Sequence, residues 1–296
     1  MKSQTTESGL VVVDKPAGIT SHDVVSRVRR LAGTRKVGHA GTLDPMATGI
    51  LVLGVNRATR LLGHLLVKDK TYEATIRLGE VTTTDDAEGE VVSTQPTDGV
   101  AEEAIRRVLA AMVGEIEQRP SSVSAIKIDG RKAYDRVRAG EDVVLPSRTV
   151  RINSLEVNNF RWSNDGGVSR PLIDVTVSCS SGTYIRAIAR DLGEALGVGG
   201  HLTALRRTSV GSYDLSVAHT LDELANNFTM LPLADAARAA FPTLELSAEQ
   251  AADVRFGRRL DLQLPADGPV AVFDGTEFLA LYEQGGDQAK AVAVFL

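Results

Sequence analysis

Strand-like runs outnumber helical runs along this chain, and the two kinds do not alternate regularly. "GLVVVDKPAG" begins as a short apolar run that ends at Pro16 and Gly18, which predicts a buried strand entering a turn. "KTYEATIRLG" alternates apolar residues with mostly polar ones, as a half-buried strand does. Because doubly wound folds alternate strand and helix, this pattern instead favours an α+β fold. Its central sheet is predicted to be mixed, mainly antiparallel and flanked by helices.

Three segments have helical character. "TSHDVVSRVRRL" combines a capping box, Thr20 with Asp23, with an apolar face that includes Val24 and Val28. "VAEEAIRRVLAAMVG" and "TYIRAIARDLGEALG" predict two further helices. "SAIKIDGRKAYDRVRAG" predicts a strand, a turn and a helix, and "TTTDDAEGE" and "RWSNDGG" predict connections between strands.

The composition changes near Asn227, which predicts two domains, 1–228 and 229–296. The second contains "PVAVFDGTEFLALYEQ", a hairpin pattern that turns at Asp274-Gly275, and is predicted to be small and β-rich. No apolar run approaches the length of a membrane span, and the polar start "MKSQTTESGL" lacks the apolar core of a signal peptide. We therefore expect a cytoplasmic protein with no membrane partner.

The charge is unevenly distributed along the chain. The net charge is −5, and residues 229–296, with five Lys/Arg and ten Asp/Glu, account for all of it. Residues 1–228 hold 28 of each sign, yet "RVRRLAGTRK" has five cations and no anion. Arg27 and Arg30 are three residues apart and share one helix face. This cluster indicates either a polyanion-binding patch or a solvated helix face.

Several common sites are missing from the sequence. There is no G-x-x-x-x-G-K-[ST] loop, no G-x-S-x-G elbow, no H-E-x-x-H and no strand followed by G-x-G-x-x-G. The single cysteine, Cys179, excludes an internal disulfide and argues against a structural zinc site. We expect no metal and no cofactor, so that any reaction would depend on side chains.

Asp44 is the strongest candidate for such chemistry. It lies between Leu43 and Pro45 in "VGHAGTLDPMATGILVLGV", bracketed by Gly38, Gly41 and Gly49. The proline disfavours helical backbone at Asp44, and the glycines allow sharp turns and close approach of a ligand. An ionised carboxylate held in this way can act as a nucleophile. The alternative is that Asp-Pro only starts a turn.

"GHAGTLDPMATGILVLG" resembles the catalytic loop of the TruB family of pseudouridine synthases. Further blocks resemble the family in order: "DKPAGITSHD", "KTYEATIRLG", "TDDAEGE", "PSSVSAIKIDGRKAYDRVRAG" and "CSSGTYIRAIARDLGEALGVGGHLTALRRTSVG". Together they cover nearly all of residues 9–228. The tail is similar to the small C-terminal RNA-binding domain of bacterial members, which is related to PUA modules.

The resemblance implies the pseudouridine synthase fold and the conversion of a tRNA T-loop uridine, position 55, to pseudouridine. The bond between uracil N1 and the ribose breaks, the uracil turns, and it rejoins the ribose through carbon 5, an isomerisation that needs no cofactor. By the resemblance Asp44 is the nucleophile, attacking the ribose or the base. Tyr72 would stack on the target base and assist proton transfer at carbon 5. Arg186 would pair with Asp44 and keep its carboxylate ionised.

The resemblance also implies three residues around an extruded uridine. Tyr184 and Leu205 would line the pocket of the flipped base, where their surfaces offset part of the cost of unstacking. His39 would lie beside the nucleophile and contact the rearranged T loop. Phosphate contacts are predicted for the following cations: Lys15, Arg27, Arg30, Arg206, Arg207, Arg255, Arg258 and Arg259.

Three other functions are compatible with parts of the sequence. An RNA-guided synthase of the dyskerin type shares a similar loop, but its chains usually carry basic extensions, so we expect the tRNA T-arm as partner, no guide RNA, and a monomer. A tRNA-binding module or chaperone without chemistry would be suggested by a degenerate loop, whereas Asp44 and its predicted partners are intact. Both activities could still coexist. A glycoside hydrolase would need a second positioned carboxylate, and no comparable loop offers one.

Overall fold

The computed structural model describes residues 6–121, 127–128, 131–132, 145–165 and 167–296. The chain forms two compact units: Met1–Lys68 together with Ser209–Leu296, and Asp69–Thr208. The predicted boundary between residues 228 and 229 lies inside the first unit, and it stays a prediction. No helix in the described part of the chain is long and apolar enough to span a membrane.

The first unit combines strands from both ends of the chain. Its helices, including two short 3₁₀ turns, are Ser21–Ala32, Asn56–Leu61, Leu62–Leu66, Leu215–Val217, Leu221–Asn226, Leu233–Ala240 and Ala248–Arg255. Its strands are Gly9–Lys15, Val37–Ala40, Thr48–Val55, Tyr213–Asp214, Leu231–Pro232, Thr243–Glu245, Val270–Asp274, Glu277–Gly285 and Gln288–Val294.

The strand Thr48–Val55 begins directly after the loop that contains Asp44. It pairs antiparallel with Gly9–Lys15 along its whole length and with Val37–Ala40 near its end. Seven of its eight residues are buried, as expected of a β-branched and aliphatic strand. The helix Ser21–Ala32 begins with the predicted capping box of Thr20 and Asp23, which confirms that prediction.

The C-terminal residues form a four-stranded sheet in the order Thr243–Glu245, Val270–Asp274, Glu277–Gly285 and Gln288–Val294. The first pair is parallel and the others are antiparallel. One face packs on the N-terminal strands through a shared apolar cluster that includes Phe273, Phe278, Phe295, Leu10 and Ile50. The region is β-rich as predicted, and it buries apolar surface against the strands that hold Asp44's loop.

The second unit is built on a long antiparallel ladder. Its strands are Lys70–Leu78, Glu80–Thr82, Val91–Thr94, Gly114–Gln118, Lys127–Ile128, Arg131–Lys132, Arg148–Asp165, Val168–Cys179 and most of Gly200–Val210, and its helices are Glu102–Ala111 and Ile185–Ala195. Val168–Cys179 pairs with Lys70–Leu78 on one side and Arg148–Asp165 on the other. The strand Gly200–Val210 carries the chain back to the first unit.

The predicted α+β class with a mixed, mainly antiparallel sheet is confirmed. The predicted "RWSNDGG" loop is wrong over most of its length, because the strands continue to Asp165 and resume at Val168. An ion pair between Arg161 and Asp174 and a ring contact between Phe160 and Trp162 stabilise this extension. Of the segment predicted as strand, turn and helix, Lys127–Ile128 and Arg131–Lys132 pair as strands, and its turn and helix lie outside the described residues.

Candidate active site

Asp44 lies in the loop of residues 41–47 between two antiparallel strands, Val37–Ala40 and Thr48–Val55. Gly41 and Gly49 have φ angles of 86° and 96°, which only glycine adopts without strain. Gly38 has a different role, since a Cβ there would lie 3.1 Å from Leu62 Cδ1. The glycines therefore fix where the loop leaves and re-enters the sheet.

Ser21 holds the backbone just before Asp44. Its buried hydroxyl donates to the Leu43 carbonyl at 3.0 Å and accepts from the Leu43 amide at 2.8 Å. After Asp44, the Ala47 amide donates to the Asp44 carbonyl at 3.1 Å. Leu43 and Ala47 are buried, whereas Asp44 is half-buried. The main chain around the carboxylate is thus fixed by contacts that do not use the carboxylate.

Lys15 holds the other side of the loop. It is fully buried, and its Nζ donates to the carbonyls of Pro16, Ile19 and Pro45 at 2.9, 2.7 and 3.1 Å. The Gly18 amide also donates to the Pro45 carbonyl, at 2.9 Å. An ammonium has three donors, and these three carbonyls use them all. Lys15 therefore supports the loop, and the predicted phosphate contact does not fit its position.

Arg186 forms an ion pair in the second unit that the sequence reasoning missed. Its Nη1 lies 3.2 Å from Asp86 Oδ2, and both side chains are about 95% buried or more. The same nitrogen donates to the Thr84 carbonyl at 2.9 Å. Asp86 Oδ1 in turn accepts from Thr84 Oγ1 at 2.5 Å and from the Glu88 amide at 3.1 Å. Arg186 is therefore held in place from the loop between Thr82 and Val91.

Tyr72 and Leu205 lie on strands of the same unit. Tyr72 is opposite Val177 in the ladder and is 8% exposed, as is Leu205 on Gly200–Val210. Thr203 Oγ1 donates to the Thr75 carbonyl at 3.3 Å, so the two strands run close together. The small exposed fraction of each side chain is consistent with a pocket wall, and equally with the edge of a core.

Tyr184 immediately precedes the helix Ile185–Ala195. Its amide donates to Gln118 Oε1 at 2.8 Å, and Gln118 Nε2 donates to its carbonyl at 3.0 Å. The guanidinium of Arg148 lies 4.6 Å from the ring centroid and donates to the Gly182 carbonyl. These contacts fix both the backbone and the ring of Tyr184.

Two buried cations of the second unit, Lys70 and Arg207, interact with each other. Burial, together with the nearby Arg207 charge, lowers the pKa of Lys70 to about 8. Arg207 is 1% exposed, so the predicted phosphate contact does not fit it, whereas Arg206 is half-buried. Burial raises the pKa of the Cys179 thiol to about 11, in keeping with a buried, unreactive cysteine.

The other predicted phosphate contacts fall on exposed side chains. Arg27 and Arg30 are exposed on the helix Ser21–Ala32, as the spacing predicts. Arg255 binds Asp274 and Glu277 at 2.9 and 2.5 Å, and Arg258 binds Asp253 at 2.8 Å. Arg259 is exposed as well. Pairing with acids weakens the case for Arg255 and Arg258 as phosphate ligands.

The site residues divide between the two units. Asp44 and His39 belong to the first, where half-buried His39 is opposite Leu53 in the strand pair. Tyr72, Tyr184, Arg186 and Leu205 belong to the second. The pairing of Arg186 with Asp44 stays a prediction. Within the described residues no group of three His, Cys, Asp or Glu side chains is placed to hold a metal ion.

The sequence reasoning missed the residues that support the site. Asp86, Thr84, Gln118 and Arg148 all act through contacts with residues far away in the chain. One signal was present: "TTTDDAEGE" places two aspartates together in a loop between strands. In the structure both aspartates of this loop pair with arginines of the helix Ile185–Ala195.

Two solved structures share this fold. The chain aligns with "Crystal Structure of a Cbf5-Nop10-Gar1 Complex" at a TM-score of 0.74 and 26% identity, covering 97% of this chain and 85% of the other. "Structure of H/ACA RNP bound to a substrate RNA containing 2'-deoxyuridine" gives 0.73 and 25%, with the same coverage. The α+β sheet therefore belongs to the pseudouridine synthase fold class.

Sequence comparisons identify the family within that class. A family model described as TruB family pseudouridylate synthase (N terminal domain) matches residues 29–185. Models for the tRNA pseudouridylate synthase B C-terminal domain and for tRNA Pseudouridine synthase II, C terminal, match 186–237 and 241–296.

Relatives match along nearly the whole chain. The tRNA pseudouridine synthase B of Arthrobacter sp. (strain FB24) is 59% identical, over 97% of this chain and 96% of the relative. That of Streptomyces griseus subsp. griseus is 56% identical, over 98% of each. The chain belongs to the TruB family.

Proposed function

We propose that this protein converts the T-loop uridine at position 55 of tRNA to pseudouridine, acting without guide RNA or cofactor. The observation that carries the proposal is the Asp44 loop. Ser21 and Lys15 fix its backbone on both sides of the carboxylate, while Asp44 itself is half-buried. Family membership and the names of the relatives support the substrate class.

In the proposed reaction the bond between uracil N1 and ribose C1′ breaks, and a bond between C5 and C1′ forms. The proton lost from C5 is balanced by the proton gained at N1, so the product is an isomer of the substrate. Asp44 attacks the ribose or the base, and either route needs a carboxylate fixed within bonding distance of the extruded nucleotide. The support from Ser21 and Lys15 meets this requirement because it immobilises the chain on both sides of Asp44.

Tyr72, Tyr184 and Leu205 are proposed to receive the flipped base. Tyr72 would stack on the uracil, with its hydroxyl near carbon 5, while Tyr184 and Leu205 contribute apolar surface. The contacts of Gln118 and Arg148 support this role of Tyr184, because a fixed ring loses less entropy when a base packs on it. His39 is proposed to contact the rearranged T loop.

Arg186 is proposed to hold Asp44 in its ionised form and in a fixed orientation. A buried guanidinium would favour the charged carboxylate. The Asp86 and Thr84 contacts support the proposal, because they fix the guanidinium plane before substrate arrives. Arg27, Arg30, Arg206, Arg258 and Arg259 remain proposed phosphate contacts.

The test is to incubate an unmodified tRNA transcript with the purified protein and nothing else, and to map pseudouridine along it. The proposal predicts one pseudouridine per tRNA, at position 55. A transcript with cytidine at position 55 serves as the matched control and should remain unmodified. No product from the first transcript would contradict the proposal, and product that appears only with added guide RNA would favour the RNA-guided class.

A further inference from the structure

Two consecutive aspartates in the loop between Thr82 and Val91 are held by two arginines of one helix. Asp86 pairs with Arg186, and Asp85 Oδ2 lies 3.4 Å from Arg190 Nη1. The arginines are four residues apart on Ile185–Ala195 and so share one helix face. The loop is thus attached to this helix at two points, one turn apart.

The backbone at Asp85 is what allows both attachments. Its φ angle is 60°, in the left-handed region that non-glycine residues seldom adopt, although aspartate tolerates it better than most. Its carbonyl accepts from the Leu202 amide at 3.0 Å. Successive side chains in an extended segment point in opposite directions. The left-handed turn at Asp85 breaks this alternation, so that Asp85 and Asp86 both reach the same helix. Left-handed residues away from glycine cluster at functional sites.

A third segment reaches the same carboxylate. Ser121, which is 1% exposed, donates from Oγ to Asp85 Oδ2 at 2.6 Å. Arg190 Nη2 also donates to the Arg119 carbonyl at 2.8 Å. Asp85 therefore joins its own loop, the residues that follow the strand Gly114–Gln118, and the helix that carries Arg186. The side chains of Asp85 and Arg190 are 14% and 13% exposed, so the cluster is largely shielded from water.

We propose that Asp85 is a positioning residue that sets the orientation of Arg186 through Asp86. Its contacts with Ser121 and Arg190 hold the loop backbone in the left-handed turn from which Asp86 reaches the guanidinium. The inference rests on the proposed function, in which Arg186 orients the nucleophile. Loss of the Asp85 side chain would leave Arg186 and Asp86 in place but widen the range of orientations they adopt.

Three substitutions distinguish the effect of losing the Asp85 side-chain contacts from the effect of changing the backbone at Asp85. Asp85→Gly removes the contacts while relieving the backbone, so the fold is kept. Asp85→Asn keeps an acceptor for Ser121 and tolerates the left-handed backbone, and it is the conservative rescue. Glu102→Gln is the matched control, because it removes a carboxylate that pairs with Arg106 on an exposed helix of the same unit.

The first readout is the single-turnover rate of pseudouridine formation at saturating protein, measured beside the tRNA dissociation constant. We expect Asp85→Gly to lower the rate about tenfold with the dissociation constant within twofold of wild type. Asp85→Asn should recover most of the rate, and Glu102→Gln should match wild type. In an Asp86→Asn background, Asp85→Gly should have little further effect, because both act through Arg186.

The second readout is the NMR signal of the Arg186 Nε–H group, assigned by its loss in Arg186→Lys. It should broaden or shift in Asp85→Gly and stay unchanged in Glu102→Gln. A wild-type rate in Asp85→Gly, a rate loss that only follows lost tRNA affinity, or an unchanged Arg186 signal would overturn the inference. If wild-type protein forms no pseudouridine, the proposed function fails, while the Arg186 signal still decides whether Asp85 positions that side chain.

Discussion

Two loops of this protein each join a pair of antiparallel strands and each carry an aspartate of the proposed site, but the loops are held by different contacts. The Asp44 loop is fixed through its main chain, by Ser21 and Lys15, and Asp44 stays half-buried. The Asp86 loop is fixed through its carboxylates, which pair with arginines and are largely buried. The half-buried Asp44 carboxylate is the proposed nucleophile, whereas the buried Asp86 carboxylate supports Arg186.

This difference predicts that removal of the two aspartate side chains will have different effects on the free energy of unfolding. Removing the Asp44 side chain should cost less, because Asp44 is only half-buried and Ser21 and Lys15 hold the main chain on both sides of it. Removing the Asp86 side chain takes a buried carboxylate away from a buried guanidinium, which is among the more damaging changes a protein interior can undergo. The predictions below begin with this contrast.

Asp86→Ala should lower the free energy of unfolding by about 3 kcal/mol, because buried Arg186 loses its carboxylate partner. Asp44→Ala should lower it by about 1 kcal/mol or less, because Asp44 is only half-buried. Urea unfolding of both variants beside wild type measures the difference. Equal losses in the two variants would show that the two loops are held in the same way.

Lys15→Met should lower the free energy of unfolding by about 2 kcal/mol, since three carbonyls lose a charged donor while the aliphatic volume is kept. Its single-turnover rate should fall as well, because Pro45 adjoins Asp44. Arg30→Met, on an exposed face, is the control for stability. If Lys15→Met were as stable as wild type, main-chain support of the Asp44 loop would be refuted.

The buried cation Lys70 predicts a pH dependence of stability. Its pKa is about 8 in the folded protein and near its ordinary value of 10.5 in the unfolded chain. Between these values the unfolded chain binds more protons, so this group makes unfolding less favourable as pH rises from about 8. The raised pKa of Cys179 acts in the opposite direction above pH 9, the ordinary value for a thiol.

A Lys70→Met variant isolates the Lys70 contribution. The stability difference between this variant and wild type should change steadily from pH 7.5 to 10, with wild type gaining relative to the variant as pH rises. Denaturant unfolding at intervals of half a pH unit measures it. A constant difference across this range would mean that Lys70 titrates normally.

The smallest effect is expected in the C-terminal region. Arg259→Ala should flatten the salt dependence of tRNA binding by up to about one unit of slope if the side chain contacts phosphate, and Arg258→Ala should flatten it less, because Arg258 also binds Asp253. Arg255→Ala is the matched control, because Arg255 already binds Asp274 and Glu277. Point variants suit this test better than removal of the tail, since Phe273 and Phe295 share a core with Leu10. Unchanged slopes in both test variants would exclude phosphate contacts there.

The part of the site that could be predicted from sequence is the part encoded locally. The glycines at 41 and 49, the proline after Asp44 and the capping box of Thr20 all act on backbone within a few residues. The class of the sheet could be predicted from the alternation of apolar and polar residues and from the length of the apolar runs. These signals need no knowledge of what packs against them.

The supporting contacts could not be predicted because they join distant parts of the chain. Arg186 and Thr84 are 102 residues apart, and Lys15 meets Pro45 across 30 residues. A lysine after a buried strand usually extends into solvent, and nothing local indicates that three carbonyls converge on it. The sequence therefore predicts Lys15 and Arg207 as RNA contacts, whereas the structure buries both side chains.

The most direct test of the account is the single-turnover rate of Asp44→Asn with an unmodified tRNA transcript at saturating protein. The amide keeps the shape of the side chain and removes the nucleophile, and the loop contacts of Ser21 and Lys15 are retained. We expect no pseudouridine at position 55 over many wild-type half-times, with wild-type stability and a tRNA dissociation constant within threefold of wild type. Pseudouridine formed by a homogeneous preparation of this variant at a rate near that of wild type would contradict it.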